Sequence, residues 1–250
     1  MSYRPLALWM LGHPEAAFAD TDQALKDARE IGQTATLMYA LTNTSYTHIL
    51  CRNYAATTAQ CDELVTLARE KSVVGFKTQT TLVRGLILAQ TGKATDAVQT
   101  ITAGITAWRS AGATLWIPLY LSCLATAHAQ LGQFDDAWRC IHEAMNSVET
   151  TKERWWEAEV YRLAGEVALL SLTPEVAKAQ AYFEKALAVA GQQQAKSWEL
   201  RAAMSMARLW RDQGKRDAAR DLLAPVYGWF TEGFDTLDLK EAKALLDELA

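Results

Sequence analysis

A chain of 250 residues, half of them apolar, is long enough for one large domain or two small ones with a substantial buried core. The formal net charge of −4 argues against broad electrostatic attachment to nucleic acid or to anionic membrane surfaces, because both need clustered Lys and Arg. Few prolines and many good helix formers predict an all-α protein.

The chain starts with the segment MSYRPLALWMLGHPE, whose apolar run of about six or seven residues is too short for a signal peptide. No later stretch approaches the roughly 18 consecutive apolar residues of a membrane span. Four cysteines lie inside apolar helical patterns, which indicates buried free thiols: Cys51, Cys61, Cys123 and Cys140. These features predict a cytoplasmic protein that does not contact a membrane.

A short helix-breaking turn recurs along the whole chain. The turns centre on residues 12, 53, 92, 132, 173 and 214, which are 41, 39, 40, 41 and 41 residues apart. Each turn separates two segments of about 15 residues with apolar side chains at three- and four-residue spacing. This pattern is typical of helical hairpins.

The repeat predicts a right-handed α-solenoid of about six helical hairpins, folded as a single domain over residues 1–250 and followed by a capping helix. In chain order, the predicted hairpins span residues 5–31, 35–71, 75–111, 115–149, 154–191 and 196–230, and the cap spans residues 237–249.

Small residues recur at two positions of the repeat. They lie seven residues before the turn, as Gly85, Ala125 and Ala207, and five residues after it, as Ala17, Ala97, Ala137 and Ala219. Small side chains at these positions let the two helices of a hairpin approach each other closely.

The third turn, Thr91-Gly92-Lys93-Ala94-Thr95, has the Gly-Lys pair of a phosphate-binding loop. Such a loop also needs a glycine five residues before the pair, where this chain has Ile87, and a strand before the loop, where this chain has a helical pattern. We therefore interpret Gly92 as the end of a helix, where glycine tolerates a left-handed backbone, and Lys93 as a solvated turn residue.

Repeat four, YLSCLATAHAQLGQFDDAWRCIHEAM, resembles the tetratricopeptide repeat (TPR), although the period near 40 exceeds the 34 usual for that family. Such long repeats are similar to those in the sensor regions of large bacterial signalling ATPases, including the maltose-regulator-like activators.

The resemblance is stronger over the last hundred residues, in ERWWEAEVYRLAGEVALL (Glu153 to Leu170) and in the segment from Gln192 to Leu249. These resemble the C-terminal repeat array of bacterial ATPases that carry an N-terminal adenylate/guanylate cyclase or DNA-binding domain. The resemblance implies a sensor role and an attached or partner ATPase or cyclase module. Nothing in the chain matches the catalytic motifs of those proteins.

The two ends of the repeat array differ. The first leading helix covers only Pro5 to Leu11, so its apolar face begins uncovered, whereas Leu237 to Leu249 form an amphipathic helix with Asp and Glu on its open face. We therefore expect that the chain is cut from a longer protein. The uncovered edge, with Leu8 and Leu11, is also where a homo-oligomer could form.

Catalytic and metal sites find little support in the sequence. His48 with Cys51, and Cys140 with His142, are spaced as metal ligands, but no further ligands follow in register. Cys123 and His128 lie on one helix with the cysteine at an apolar position. We expect no enzyme activity, no metal and no cofactor.

Nine tryptophans are more than a core of this size requires. Most are expected to pack between helices. Trp155 and Trp156 are adjacent and cannot both face one core, so one of them is a candidate contact surface.

In TPR arrays the leading helices line a concave groove. This geometry predicts apolar groove positions in the earlier repeats, among them Thr42, Leu82, Leu86 and Ser122, and a charged end in repeats five and six, where Met204 also faces the groove. The candidate binding residues are Tyr46, Glu159, Arg162, Glu166, Arg201, Arg208 and Arg211. Clustered arginines favour a carboxylate or phosphate partner, because the guanidinium binds such groups bidentately. The alternative is that these charges pair with one another along the helices.

Three functions compete. The first is a non-catalytic module that binds a protein or peptide segment, or a small effector, and regulates a signalling ATPase or cyclase. The second is a stand-alone scaffold or oligomerisation protein, which a concentration-independent monomer in light scattering would contradict. The third, a nucleotide hydrolase, rests only on the Gly-Lys pair.

Overall fold

The computed structural model describes residues 3–70, 74–171 and 173–250, apart from the side chains of residues 74 and 75. Thirteen α-helices make up the regular structure of these residues, which include no strand. The helices are α1 (Arg4–Met10), α2 (Pro14–Ile31), α3 (Thr34–Leu50), α4 (Tyr54–Glu70), α5 (Val74–Gln90), α6 (Ala94–Ser110), α7 (Ile117–Gln130), α8 (Phe134–Thr151), α9 (Glu157–Leu170), α10 (Val176–Gln193), α11 (Lys196–Asp212), α12 (Arg216–Gly228) and α13 (Leu237–Leu249). The protein is all-α, as predicted.

The helices follow one another as six pairs and a final single helix. The pairs agree with the six predicted hairpins to within three residues at each end, and α13 has the predicted bounds. Two predicted positions lie outside the described residues, namely Lys71 at the end of the second hairpin and Leu172 in the fifth turn.

The chain divides into two compact units, one comprising Met1–Trp9 with Pro14–Leu115 and the other comprising Met10–His13 with Trp116–Ala250. In unit 1, α3 packs against α2, α4 and α5. In unit 2, α9 packs against α7, α8, α10 and α11, and α11 packs against α9, α10, α12 and α13. Within their units, α3 and α9 thus each contact their own hairpin partner and the hairpins before and after it, and α11 contacts its partner, the preceding hairpin and α13. The single domain and the right-handed solenoid stay predictions.

Close approach of the paired helices is confirmed at the small residues. A Cβ atom added to Gly85 on α5 would lie 2.6 Å from Cγ1 of Ile101, and one added to Gly104 on α6 would lie 2.6 Å from Cδ2 of Leu82. The alanines at the predicted small positions of other hairpins are fully buried, among them Ala17, Ala97, Ala125, Ala137, Ala207 and Ala219. The small side chains therefore determine how tightly each hairpin closes.

The turn that resembles a phosphate-binding loop is a helix C-terminus. Gly92 has a φ of +78°, and the backbone N–H of Lys93 donates to the carbonyl of Leu88 at 3.0 Å. This six-to-one hydrogen bond is typical of a glycine that ends a helix. The preceding element is α5, which ends at Gln90, so the turn interpretation is confirmed.

Lys93 is exposed in that turn, so we expect Lys93→Ala to change the free energy of unfolding by less than about 0.5 kcal/mol. Millimolar ATP with magnesium should leave the melting temperature of the wild type unchanged. Differential scanning fluorimetry of both chains checks this expectation. A nucleotide-induced shift that Lys93→Ala abolishes would show that the turn binds phosphate.

Candidate functional site

Six of the seven predicted binding residues lie in unit 2, where they form a series of ion pairs on α9, α11 and α13. We call this series the arginine ladder. Its members are Glu159, Arg162, Glu166, Arg201, Arg208, Arg211, Asp238, Glu241 and Glu248. The three carboxylates of α13 are the members that the sequence analysis did not include.

Arg162 is the buried centre of the ladder. Its Nε and Nη2 donate to the two carboxylate oxygens of Glu159 at 2.7 and 2.8 Å, and its Nη1 donates to Glu166 at 3.2 Å. Nη1 also donates to Oγ of Ser205 on α11, which in turn donates to Glu166 at 2.6 Å. Burial opposes the charge on Arg162, but Glu159 and Glu166 outweigh burial and raise the pKa of the guanidinium. The group therefore ties α9 to α11 as a cation.

The remaining arginines connect α11 to α13. Arg201 donates through Nε to Asp238 at 2.8 Å, and Arg208 lies 3.3 Å from Glu241. Arg208 thus takes its carboxylate partner from α13, because α13 packs directly against α11.

Exposure divides the ladder into two parts. The side chains of Arg162 and Arg201 are 16% and 12% exposed, whereas those of Arg208 and Arg211 are 39% and 31% exposed. An incoming carboxylate or phosphate could replace Glu241 beside Arg208 at small cost, because an exposed ion pair contributes little. Arg208 and Arg211 are thus the accessible part of the predicted site, and Arg162 and Arg201 are structural.

The predicted groove positions of the earlier repeats are buried. Tyr46, in unit 1, is 1% exposed, and every residue of α7 from Ile117 to Ala129 is buried except Thr126. The buried set also includes Thr42, Leu82, Leu86 and Ser122, together with Met204 of repeat six. The leading helices are therefore enclosed on most sides, and these side chains pack in the core where a ligand cannot reach them.

The structure also contains a row of tryptophans that the sequence analysis did not predict. The ring centroids of Trp116 and Trp155 are 4.8 Å apart, those of Trp155 and Trp156 are 5.0 Å apart, and those of Trp156 and Trp198 are 4.8 Å apart, all edge-to-face. Trp156 is buried and Trp155 is half-buried, so the two neighbours share one ring cluster although only Trp156 is enclosed in the core. The sequence does contain a pattern that predicts this row. Trp116, Trp156 and Trp198 recur at about the repeat period, and each lies at the start of a leading helix.

Glu153 holds the start of α7 beside this row. Both of its carboxylate oxygens accept the backbone N–H of Trp116, at 2.9 and 3.0 Å, and one accepts Nε1–H of Trp155 at 2.8 Å. Trp116 has a φ of +70°, which is strained for a bulky residue. Burial raises the pKa of Glu153, and the hydrogen bonds from Trp155 and Trp116 oppose that rise. The carboxylate thus stabilises an unfavourable backbone angle.

His48 of unit 1 is buried, and within the described residues its Nδ1 has no hydrogen-bond partner. Its ring lies 5.6 Å from that of Phe18. Burial lowers the pKa of His48, and the charge of Asp22 opposes this only in part. The unfolded chain therefore binds a proton at His48 more readily than the folded chain does.

This difference predicts a loss of stability in acid. Well above a pH of about 6.5 both states are neutral at His48, and as the pH falls through that value the unfolded state gains the proton first. We expect the wild type to lose more stability than His48→Gln between pH 7 and pH 5. Urea denaturation at the two pH values measures the difference, and equal losses would contradict the assignment.

All four cysteines are buried, as predicted, and burial raises the pKa of Cys61 and of Cys140 to about 11. Over the described ranges, the side chains form no group of three or more His, Cys, Asp or Glu residues that could hold a metal ion. None of the helices described above combines the length and apolarity needed to cross a membrane.

The fold and the ladder together define a class, an all-α protein of successive helical hairpins with a charged network on its leading helices. No protein-family model matches the chain, and no curated protein sequence matches it significantly. Among solved structures, BtubC (BKLC) from P. vanneervenii is similar, with a TM-score of 0.59 and 15% sequence identity over 88% of this chain and 94% of that one. At this identity the similarity concerns the fold alone.

Proposed function

We propose that this chain is a non-catalytic helical-repeat module that binds a protein or peptide segment, or a small effector. We further propose that it is the regulatory C-terminal part of a cytoplasmic bacterial signalling ATPase or nucleotidyl cyclase. The resemblance of residues Glu153 to Leu249 to such proteins supports the regulatory role.

The observation that carries the binding proposal is the accessible end of the arginine ladder. Arg208 and Arg211 lie one helical turn apart on α11, and each already holds a carboxylate from α13. A surface that pairs with carboxylates from its own chain has the geometry to pair with those of a partner. The partner class that this chemistry favours is a segment carrying carboxylates or phosphates.

Arg208→Ala tests this proposal. We expect it to weaken the binding of a carboxylate-bearing peptide by about 1–3 kcal/mol, the scale of a charge-assisted hydrogen bond. Peptides selected from a phage-displayed library against the full chain, and measured by calorimetry, serve as probes. The melting temperature should change little, since the ion pair with Glu241 is partly open to solvent. A variant that melts early and binds every selected peptide normally would contradict the proposal.

The regulatory role has a separate test. A continuous reading frame upstream of Met1 that encodes a phosphate-binding loop would support it. A stop codon directly upstream, together with a concentration-dependent dimer in light scattering, would favour the scaffold instead.

A further inference from the structure

Helix α13 lies where the leading helix of a seventh hairpin would lie. It packs against α11 and α12 as α11 packs against α9 and α10. The residues that receive it lie on α11, on α12 and just after α12, and we call them the acceptor surface. They comprise an apolar floor of Leu200, Met204, Leu223 and Phe230, and a basic row of Arg201, Arg208, Arg211 and Arg216.

The apolar half of the contact is regular. Leu239, Ala242, Leu245 and Leu249 recur on one face of α13, and all four are buried in one cluster with the floor of the acceptor surface. Because burial of apolar side chains is the main favourable contribution to packing, this face holds most of the docking energy.

The charged half runs the length of α13. Arg201 binds Asp238 in the first turn at 2.7 Å, Arg208 lies 3.3 Å from Glu241, and Arg211 lies 2.6 Å from Glu248 in the last turn. Arg216 donates to the backbone carbonyl of Glu248, one of the carbonyls that the helix itself leaves without a partner. The acidic face that the sequence analysis expected to be open is therefore paired, because α11 presents an arginine opposite each of these carboxylates.

Whether residues 237–249 form a helix depends on the contact between α13 and the acceptor surface. With 13 residues, it is about as short as an isolated helix can be and still form in water. The segment that joins it to α12, residues 229–236, exposes Trp229 and Phe234 by 40% and 48%. Among the helices of the described chain, α13 packs against α11 and α12 alone, whereas α9 and α11 each contact four helices.

We propose that the acceptor surface is a docking site for an acidic amphipathic helix of a partner protein, and that α13 is the resident occupant which the partner displaces. The partner helix carries carboxylates with the spacing of Asp238, Glu241 and Glu248, and leucines with the spacing of Leu239, Leu245 and Leu249. A basic helix is excluded by the four arginines. This proposal rests on the binding role proposed above and specifies the partner for that role.

The test uses the full chain and a fluorescein-labelled synthetic peptide of residues 235–250, DTLDLKEAKALLDELA. Leu245→Ala weakens the resident helix in the protein, because it removes a buried side chain from α13 alone. We expect the peptide to bind this variant about tenfold or more tightly than the wild type by fluorescence anisotropy. A peptide with Asp238→Lys and Glu241→Lys should bind at least about tenfold more weakly than the unaltered peptide.

A second variant keeps the test valid if Leu245→Ala does not fold. Asp238→Asn with Glu241→Gln weakens the charged half of α13 and leaves the apolar cluster intact, and it should also bind the peptide more tightly than the wild type. Helical circular dichroism confirms that each variant is folded. If a folded variant binds the peptide no better than the wild type, or binds both peptides equally, the displacement proposal is wrong. Library peptides that still bind through Arg208 would in that case leave the broader binding role intact.

Discussion

Gly165→Ala should destabilise unit 2 by about 2–3 kcal/mol, because the added methyl group overpacks the contact between α9 and α10. A Cβ atom at this position would lie 2.7 Å from Cδ1 and 2.9 Å from Cζ of Phe183. The ring of Phe183 is fully buried in one cluster with Ala168, Ala179, Met206 and Leu209, so it can shift only if those side chains shift too. Thermal and urea denaturation followed by circular dichroism measure the loss.

Gly191→Ala is a matched control in the same hairpin. A Cβ atom there would meet no atom within 4 Å, so the substitution should stabilise α10 by about 0.5–1 kcal/mol. Phe183→Leu in the Gly165→Ala background should recover part of the lost stability, because the smaller side chain leaves room for the added methyl group. If Gly165→Ala and Gly191→Ala had the same effect, close packing at Gly165 would be disproved.

Arg162→Met should destabilise unit 2 by about 3–5 kcal/mol, because it leaves a buried carboxylate without its cation. Glu159 is 4% exposed, and Arg162 supplies both of its close hydrogen bonds. The nearest remaining guanidinium, that of Arg201, lies 3.9 Å from Glu159 and already binds Asp238. Urea denaturation near pH 7 gives the free energy of unfolding.

Arg139→Met is the control for this prediction. Arg139 also follows its carboxylate partner, Asp136, by three residues, at 2.6 Å, but the arginine side chain is 71% exposed. Its loss should cost less than about 1 kcal/mol. The double variant Glu159→Gln with Arg162→Met should be more stable than Arg162→Met alone, since it removes the uncompensated charge. If Arg162→Met and Arg139→Met lowered the free energy of unfolding equally, burial would not make the Arg162–Glu159 ion pair more important for stability.

Local patterns in the sequence were sufficient to predict where the helices and the turns between them lie. A turn every 40 residues and apolar side chains at helical spacing predicted six hairpins and the bounds of α13. Gly92 and the alanines of the repeat predicted helix ends and close hairpin packing, and both are confirmed. These features depend on residues close together in the chain, so a single sequence contains the information needed to predict them.

The environment of each site residue was decided by the tertiary structure. The sequence indicated that Arg201 and Arg208 would share a helix face, but whether that face would meet solvent or another charged helix depends on how α13 packs against α11. Likewise, Tyr46 has the pattern of a groove residue and is buried, and Trp155 joins a row of rings that lie at the starts of three leading helices. The sequence by itself determined which segments are helices and which face of each helix is apolar, because these follow from local spacing. Only the packing of helices distant in sequence decided which charges are paired and which remain accessible, because burial and ion pairing depend on the neighbours that each helix acquires in the folded chain.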